Sequence, residues 1–187
     1  CHTSTDLVVE AGGDRVTRPP TDEELMDAAR DGSETAYTTL FARHKAPLYG
    51  YLLRMSRQPE VADELFQETF LRIHRARSTW AHHDGTFRSW MYRIATNAMR
   101  DRARAQSRKP EILGETWEAS HSPNPTDTLM LERALGELPE NLRDAFLLAA
   151  VLGMDHNEVA AALEITPDNA RARVSRARAK LRESFAQ

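Results

Sequence analysis

Apolar residues in this chain recur at three- and four-residue steps, and no strand-length alternation of apolar and polar positions occurs. That period is the signature of helices with one buried face, so the pattern predicts an all-α protein. Residues 1–20 show no period. They are polar and hold Gly12-Gly13 and Pro19-Pro20, which predicts a disordered tail. Thr21 with Glu24 three residues later forms a capping box, and a first helix is predicted from there to about Arg30, stopping near Gly32. Ser33 and Ala36 open the next. Its stripe is Tyr37, Leu40, Phe41, His44, Leu48, Leu52 and Met55, interrupted by Pro47, which predicts a kink or a split. Pro59 and Glu60 start a third helix, apolar at Val61, Leu65, Phe66, Thr69, Phe70 and Ile73 and polar at Asp63, Glu64, Gln67 and Glu68. A loop from Ser78 to Thr86 follows. Phe87, Trp90, Met91, Ile94, Ala95, Ala98 and Met99 then mark a fourth helix that ends before Pro110.

Between about Ser107 and Thr126 the period disappears. Pro110, Pro123 and Pro125 among small polar residues predict a linker, with Trp117 as its one large aromatic, expected to be partly docked. A second domain is predicted beyond it. Leu129, Leu131, Ala134, Leu135 and Leu138 suit a short helix. Pro139 fits the first turn of another, which runs through Leu142, Ala145, Phe146, Ala149 and Leu152 to Gly153 as C-cap. Asp155 and Glu158 form a second capping box, opening a short helix through Leu163. Thr166-Pro167, an N-cap followed by proline, starts the last helix, whose apolar row is Ala170, Val174, Ala177 and Leu181. The expected units are therefore a tail (1–20), a helical domain (21–106), a linker (107–126) and a second helical domain (127–187).

Charge sharpens this picture, because the net charge of -3 hides a segregation. Acids dominate from Asp6 to Glu34. Arg88 to Lys109 is basic, with Asp101 its only acid, and Arg171 to Arg182 is basic with no acid at all. Two cationic stretches on an acidic chain fit two contacts with a polyanion, or two solvated helix faces. The sole cysteine is Cys1, so no internal disulfide and no zinc pair is expected, which fits a reducing cytoplasm. Cys1 to Arg18 contains no apolar h-region, so no signal peptide is expected. A chain opening on Cys rather than Met is expected to lack upstream residues. No apolar run is long enough to span a bilayer.

Asp155 to Arg182 carries the strongest functional signal. A capped, Ala-rich short helix, a turn of three or four residues and a longer basic helix make a helix-turn-helix. The short helix must be small where the two cross, and Val159, Ala160 and Leu163 suit that. The long helix would offer Asn169, Arg171, Arg173, Ser175 and Arg176 to a major groove, where the arginine fork can bond guanine or clamp phosphate. Arg178, Lys180 and Arg182 lie further along, suited to backbone contact. The competing reading is a helical hairpin with a solvated basic face.

The run Asp63 to Arg72 (DELFQETFLR), with Phe87 to Asp101 (FRSWMYRIATNAMRD), resembles region 2 of the extracytoplasmic-function sigma factors. Leu138 to Leu148 and His156 to Arg182 resemble their region 4. The resemblance covers about Asp22 to Glu183, in the family's order. It implies a two-domain all-α fold and a transcription initiation factor that binds core RNA polymerase, through the largest subunit's clamp helices and the flap, and reads promoter DNA. Asp63, Glu64, Phe66, Gln67 and Glu68 would dock on the polymerase; a plain amphipathic helix would show the same spacing. Trp80, His82, His83, Asp84 and Thr86, with Asn97, Arg100 and Arg104, would open and read the −10 element, since aromatic stacking and edge hydrogen bonds offset unstacking. For Trp80 the alternative is core packing. Asn169, Arg171, Arg173, Ser175, Arg176 and Arg178 would meet the −35 element. The chain departs from the family at Glu164, where glycine is common, and at Asp168 and Asn169, where glycine and threonine are. The linker would thread near the polymerase's active site and RNA exit path, and an anti-sigma partner is also implied.

Two other classes remain at this stage. A conventional helix-turn-helix regulator would need a sensor or dimerisation module in its first domain, with a ligand pocket or phospho-acceptor pattern. An enzyme acting on nucleic acid would need a motif that the chain lacks: it has no HExxH, Walker loop, GxSxG or paired zinc motif. No catalytic residue, cofactor or metal is expected, and His82-His83-Asp84 without a further ligand motif is weak ground for a metal.

Overall fold

The computed structural model describes residues 18–81, 85–107 and 125–185. Its helices are α1 (Asp22–Arg30), α2 (Glu34–Ser56), α3 (Pro59–Ala76), α4 (Phe87–Ser107), α5 (Pro125–Glu137), α6 (Glu140–Phe146), α7 (His156–Leu163) and α8 (Pro167–Phe185). A 3-10 turn, Arg77–Thr79, follows α3, and a wider π-type segment, Leu147–Val151, prolongs α6.

Local chemistry explains the boundaries. The Thr21 and Asp155 side chains accept backbone N–H groups at the starts of α1 and α7, while Glu24 and Glu158 reach back to the cap residues' own N–H. Ser33 caps α2, and Thr166 Oγ1 accepts from Asn169 N–H at the start of α8. Pro47 does not divide α2, which is one helix across it. Pro139 stands as the N-cap of α6 rather than in its first turn. Pro125 already lies in α5, so helix begins two residues earlier than the second domain was expected to. Residues 1–17 and the linker residues 108–124, Trp117 included, lie outside the described residues.

The first three helices and α4 enclose a core of Met26, Leu40, Leu48, Leu52, Ile73 and Met91. At its end Trp80, Phe87 and Trp90 pack ring against ring, with centroids 5.4–6.1 Å apart. Such tilted and edge-on pairs suit aromatic quadrupoles. Helix α1 is stapled down by polar bonds: Asp22 accepts from Arg43 and pairs with His44 at 2.7 Å, and Glu23 accepts from the N–H of Phe87 at 3.0 Å. The His44 and Arg43 bonds hold the Asp22 carboxyl below its usual range. In the second half, α6, α7 and α8 bury Leu142, Leu148, Val159, Leu163, Val174 and Leu181.

The two halves touch. Helix α4 packs along α7, and α2 meets α6. At the second contact the Tyr51 hydroxyl donates to the buried Asp144 carboxylate. Burial raises the Asp144 pKa to about 6, only partly opposed by the Tyr51 bond and by Arg100. The folded chain therefore binds a proton there at pH values where the unfolded chain has released it. From this group, stability is greatest below about pH 4, falls as pH rises to about 6, and is level above. Replacing Asp144 by Asn removes the fall. Urea unfolding across pH 4.5 to 7.5 is expected to show Asp144→Asn gaining on the native chain as pH rises, by about 1–3 kcal/mol at the top of the range.

Candidate nucleic-acid and polymerase surfaces

Helix α8 sorts its residues strictly by side. Ala170, Val174, Ala177 and Leu181 are buried against α6 and α7, as their spacing requires. Asn169, Arg171, Ser175, Arg176 and Arg178 are exposed on the other side, and Arg173 is half-buried. Arg173 Nε donates to Asn169 Oδ1 at 3.0 Å, and Arg171 pairs with Asp168 at 3.2 Å. A three-residue turn separates α7 from α8, and Val159, Ala160 and Leu163 are buried where the helices cross. The turn's Glu164 adopts the left-handed conformation, φ +57°. It is the position flagged for glycine, and holding Glu there costs on the order of 1 kcal/mol.

Helix α3 presents the second expected surface. Asp63, Glu64 and Gln67 are exposed, and Phe66 and Glu68 are half-buried. Phe66 belongs to an aromatic group with Phe41, Tyr49 and Phe70, at centroid distances of 5.1–6.0 Å. Beside it runs an apolar groove of about 500 Å³ lined by Tyr37, Phe41, Phe66, Gln67, Phe70, Leu71 and His74. Leu71, half exposed, stands at this groove. An apolar groove rimmed by polar side chains is the composition of a protein interface. Arginines bracket the acidic ridge: Arg102 of α4 pairs with Glu64, and Arg72 bridges Glu68 at 2.7 Å and Asp101 at 2.9 Å.

The third expected surface is divided. His82, His83 and Asp84 lie outside the described residues. Thr86 accepts from Ser89 N–H, as a helix cap does, and donates to Glu158 of α7 at 2.9 Å. Arg100 donates to Asn97 Oδ1 and to the Leu163 carbonyl of α7. Arg104 is exposed near Asp101. Trp80 is a correction: its ring is 2 % exposed and packed against Phe87 and Trp90, so it is a core residue and offers no face to a base. Among the described residues no group of three or more His, Cys, Asp or Glu is placed to hold a metal ion.

Sequence patterning missed a second buried side of α4. Ser89, Tyr92 and Thr96 are all buried, and Thr96 donates to the Ala162 carbonyl of α7. They recur at i, i+3 and i+7, but a serine, a tyrosine and a threonine do not stand out as an apolar stripe.

Comparison with known proteins decides the family. The sigma-70 region 2 family model matches residues 40–109 and the sigma-70 region 4 model matches residues 128–181. The RNA polymerase sigma factor CarQ of Myxococcus xanthus is 36% identical over 165 residues, spanning 84% of this chain and 94% of that one. The chain belongs to the extracytoplasmic-function sigma factors of the sigma-70 family. The ECF RNA polymerase sigma factor SigE of Mycolicibacterium smegmatis is 31% identical over 179 residues, 90% of this sigma factor and 69% of that protein. Among solved structures, CnrH in complex with the cytosolic domain of CnrY matches with a TM-score of 0.69 and 28% identity, over 88% of this chain and 97% of that one. The sigma factor RpoE of Bartonella quintana, solved with the anti-sigma factor NepR, shares the fold at TM-score 0.72 and 19% identity, over 80% and 96%. This sigma factor is thus a transcription initiation factor, and the sensor-domain alternative is not favoured, because its first domain is region 2.

The reassignment of Trp80 has a measurable consequence. Trp80→Ala should cost roughly 3–5 kcal/mol of stability by removing a buried ring. A loss below about 1 kcal/mol in urea unfolding would return Trp80 to the surface.

Proposed function

We propose that this sigma factor binds core RNA polymerase through the α3 ridge, meets the −35 element with α8, and opens and reads the −10 element with α4 and the loop before it. Residues 21–106 then act as region 2, 127–187 as region 4, and 107–126 as the linker between them. The observation that carries the reading is the exposed cationic side of α8 opposite a fully buried apolar row. An arginine there can bond a guanine edge bidentately, and its neighbours can neutralise phosphates. The groove and polar rim on α3 support polymerase docking, Glu64, Gln67 and Phe66 foremost.

It acts by binding alone, as the absence of a catalytic motif in the sequence supports. Its lone cysteine fits the reducing cytoplasm, and among the described residues no helix is long and apolar enough to cross a membrane. CnrH was solved in complex with the cytosolic domain of CnrY, and RpoE with the anti-sigma factor NepR; an anti-sigma partner for this chain is proposed on that likeness.

Two experiments test the division of labour. With Arg171 and Arg173 both changed to Glu, in vitro transcription from a genomic promoter library should drop roughly 100-fold or more, since each base contact is worth ~1–3 kcal/mol. Affinity for core polymerase should stay unchanged; its loss would overturn the domain assignment. Changing Glu64 to Ala together with Gln67 to Lys should instead weaken polymerase binding about tenfold or more, in line with central interface positions. Unaltered affinity would remove both residues from the docking surface.

A further inference from the structure

Two cavities along the seam between the two halves differ in how their cations are compensated. The larger, of about 450 Å³ between α2, α4 and the π-type segment, is lined by Arg43, Arg54 and Arg88, and each of these pairs with a carboxylate, Asp22, Glu132 and Glu158 in turn. The smaller, of about 170 Å³, lies where the α2–α3 corner, the end of α4 and the start of α6 meet. Its polar lining is Ser56, Gln58, Arg102, Gln106, Glu140 and Arg143, and both arginines bury an Nε that has no acceptor. Arg102 is compensated at its other end by Glu64. Arg143 is not: it is half-buried, and among the described residues no carboxylate pairs with it. Arg57, whose Nη1 donates to the Gly136 carbonyl at 3.4 Å, likewise has no carboxylate partner among the described residues. Burial first, and then the charge of Arg57, pull the Arg143 guanidinium below its ordinary range, with Glu140 and Asp144 opposing. Leu142, Asp144 and Ala145, all buried, fix the register of α6 that places Arg143 here.

We propose that the smaller cavity is a binding site for a tetrahedral oxyanion of phosphate size, the free ion or the terminal group of a phosphate ester, held by Arg143 and Arg102. An arginine does not shed its proton in a protein, so the charge of Arg143 stays and calls for an anion. A buried donor without an acceptor and a buried charge without a partner are both unfavourable, and one oxyanion relieves the two together. Size restricts the ligand. Pockets for whole organic molecules run to ~300–1,000 Å³, so this one admits a phosphate group but not the rest of a nucleotide. Charge agrees: Arg57 and Arg143, neither paired with a carboxylate among the described residues, stand against the exposed Glu140 at the rim. The guanidinium fork presents parallel donors to two oxygens of such an ion. One arginine comes from α4 and the other from α6, so the bound ion bridges the two helices. The site is independent of the roles proposed for DNA and polymerase.

The test titrates the full chain with sodium phosphate at an ionic strength held constant with chloride. In protein labelled with a nitrogen isotope, the Nε–H signals of Arg102 and Arg143 should shift along one saturable curve, with a Kd on the order of 1 mM or tighter. Their loss in Arg102→Gln and Arg143→Gln assigns them, and each variant should bind phosphate roughly tenfold more weakly or worse. At a tenfold excess of phosphate over Kd the melting midpoint should rise by about 3–6 °C. Arg143→Met removes the unpaired charge and keeps an apolar stem. It should fold at least as firmly without phosphate and gain nothing from it, which separates a lost site from a lost fold. Arg133→Gln, on the exposed side of α5, should leave the Kd unchanged. Equal affinity for a nucleoside monophosphate extends the site to phosphate esters, whereas affinity lower by roughly tenfold restricts it to the free ion. No saturable shift of the two signals, or the same rise in midpoint in Arg143→Met as in the native chain, would overturn the site.

Discussion

Helix α4 is buried along two sides, and much of the architecture follows from that. One side, Phe87, Trp90, Met91 and Ala98, belongs to the core of the first domain. The other holds Ser89, Tyr92 and Thr96: Tyr92 packs edge-on against Tyr51 of α2, and Thr96 bonds α7, which packs along α4. A helix between two layers cannot be polar on the covered side without partners, because an unsatisfied buried donor costs about 1–3 kcal/mol. Three of the polar groups here have a partner: Thr96 donates to the Ala162 carbonyl, Ser89 to the Thr86 carbonyl, and Arg100 to the end of α7. The same requirement explains why Arg88 and Arg100, members of a basic stretch, are only partly solvated.

The two basic stretches therefore do different things in this conformation. That of α8 is a surface. Its arginines lie over a row of small and branched apolar residues that fix the helix against α6 and α7, so the cationic face is held on a rigid support. That of α4 is divided along its length. Arg88 and Arg100 turn into the seam, Arg102 reaches across to Glu64 on α3, and Arg104 stays exposed. Net charge along the sequence is the same kind of signal in both, and only packing tells them apart.

Much of the fold was legible because the signals are local. Capping boxes at Thr21 and Asp155, the cap at Thr166 with Pro167, and the apolar row of α8 depend on residues within one or two turns, and each marks a real helix end or face. What could not be read is long-range. Trp80 sits in a polar loop segment, and only the fold shows that Phe87 and Trp90 close over it. Of the two outcomes expected at Pro47, a kink or a split, the split does not occur: α2 is one helix past it, with Leu48, Tyr51 and Leu52 buried. Of the candidate surfaces, α3 and α8 were visible as amphipathic patterns. The shared use of Thr86 and Arg100 was not, because it requires a partner more than 60 residues away.

Glu164 joins two duties in one side chain. Its backbone makes the left-handed turn that sets α8 against α7, and its carboxylate lies near Arg100 across the seam. Glycine would relax the backbone but would delete the carboxylate. A Glu164→Gly chain would therefore trade an easier turn for a weaker contact with Arg100. One side chain thus ties the angle between α7 and α8 to the contact that α7 makes with α4.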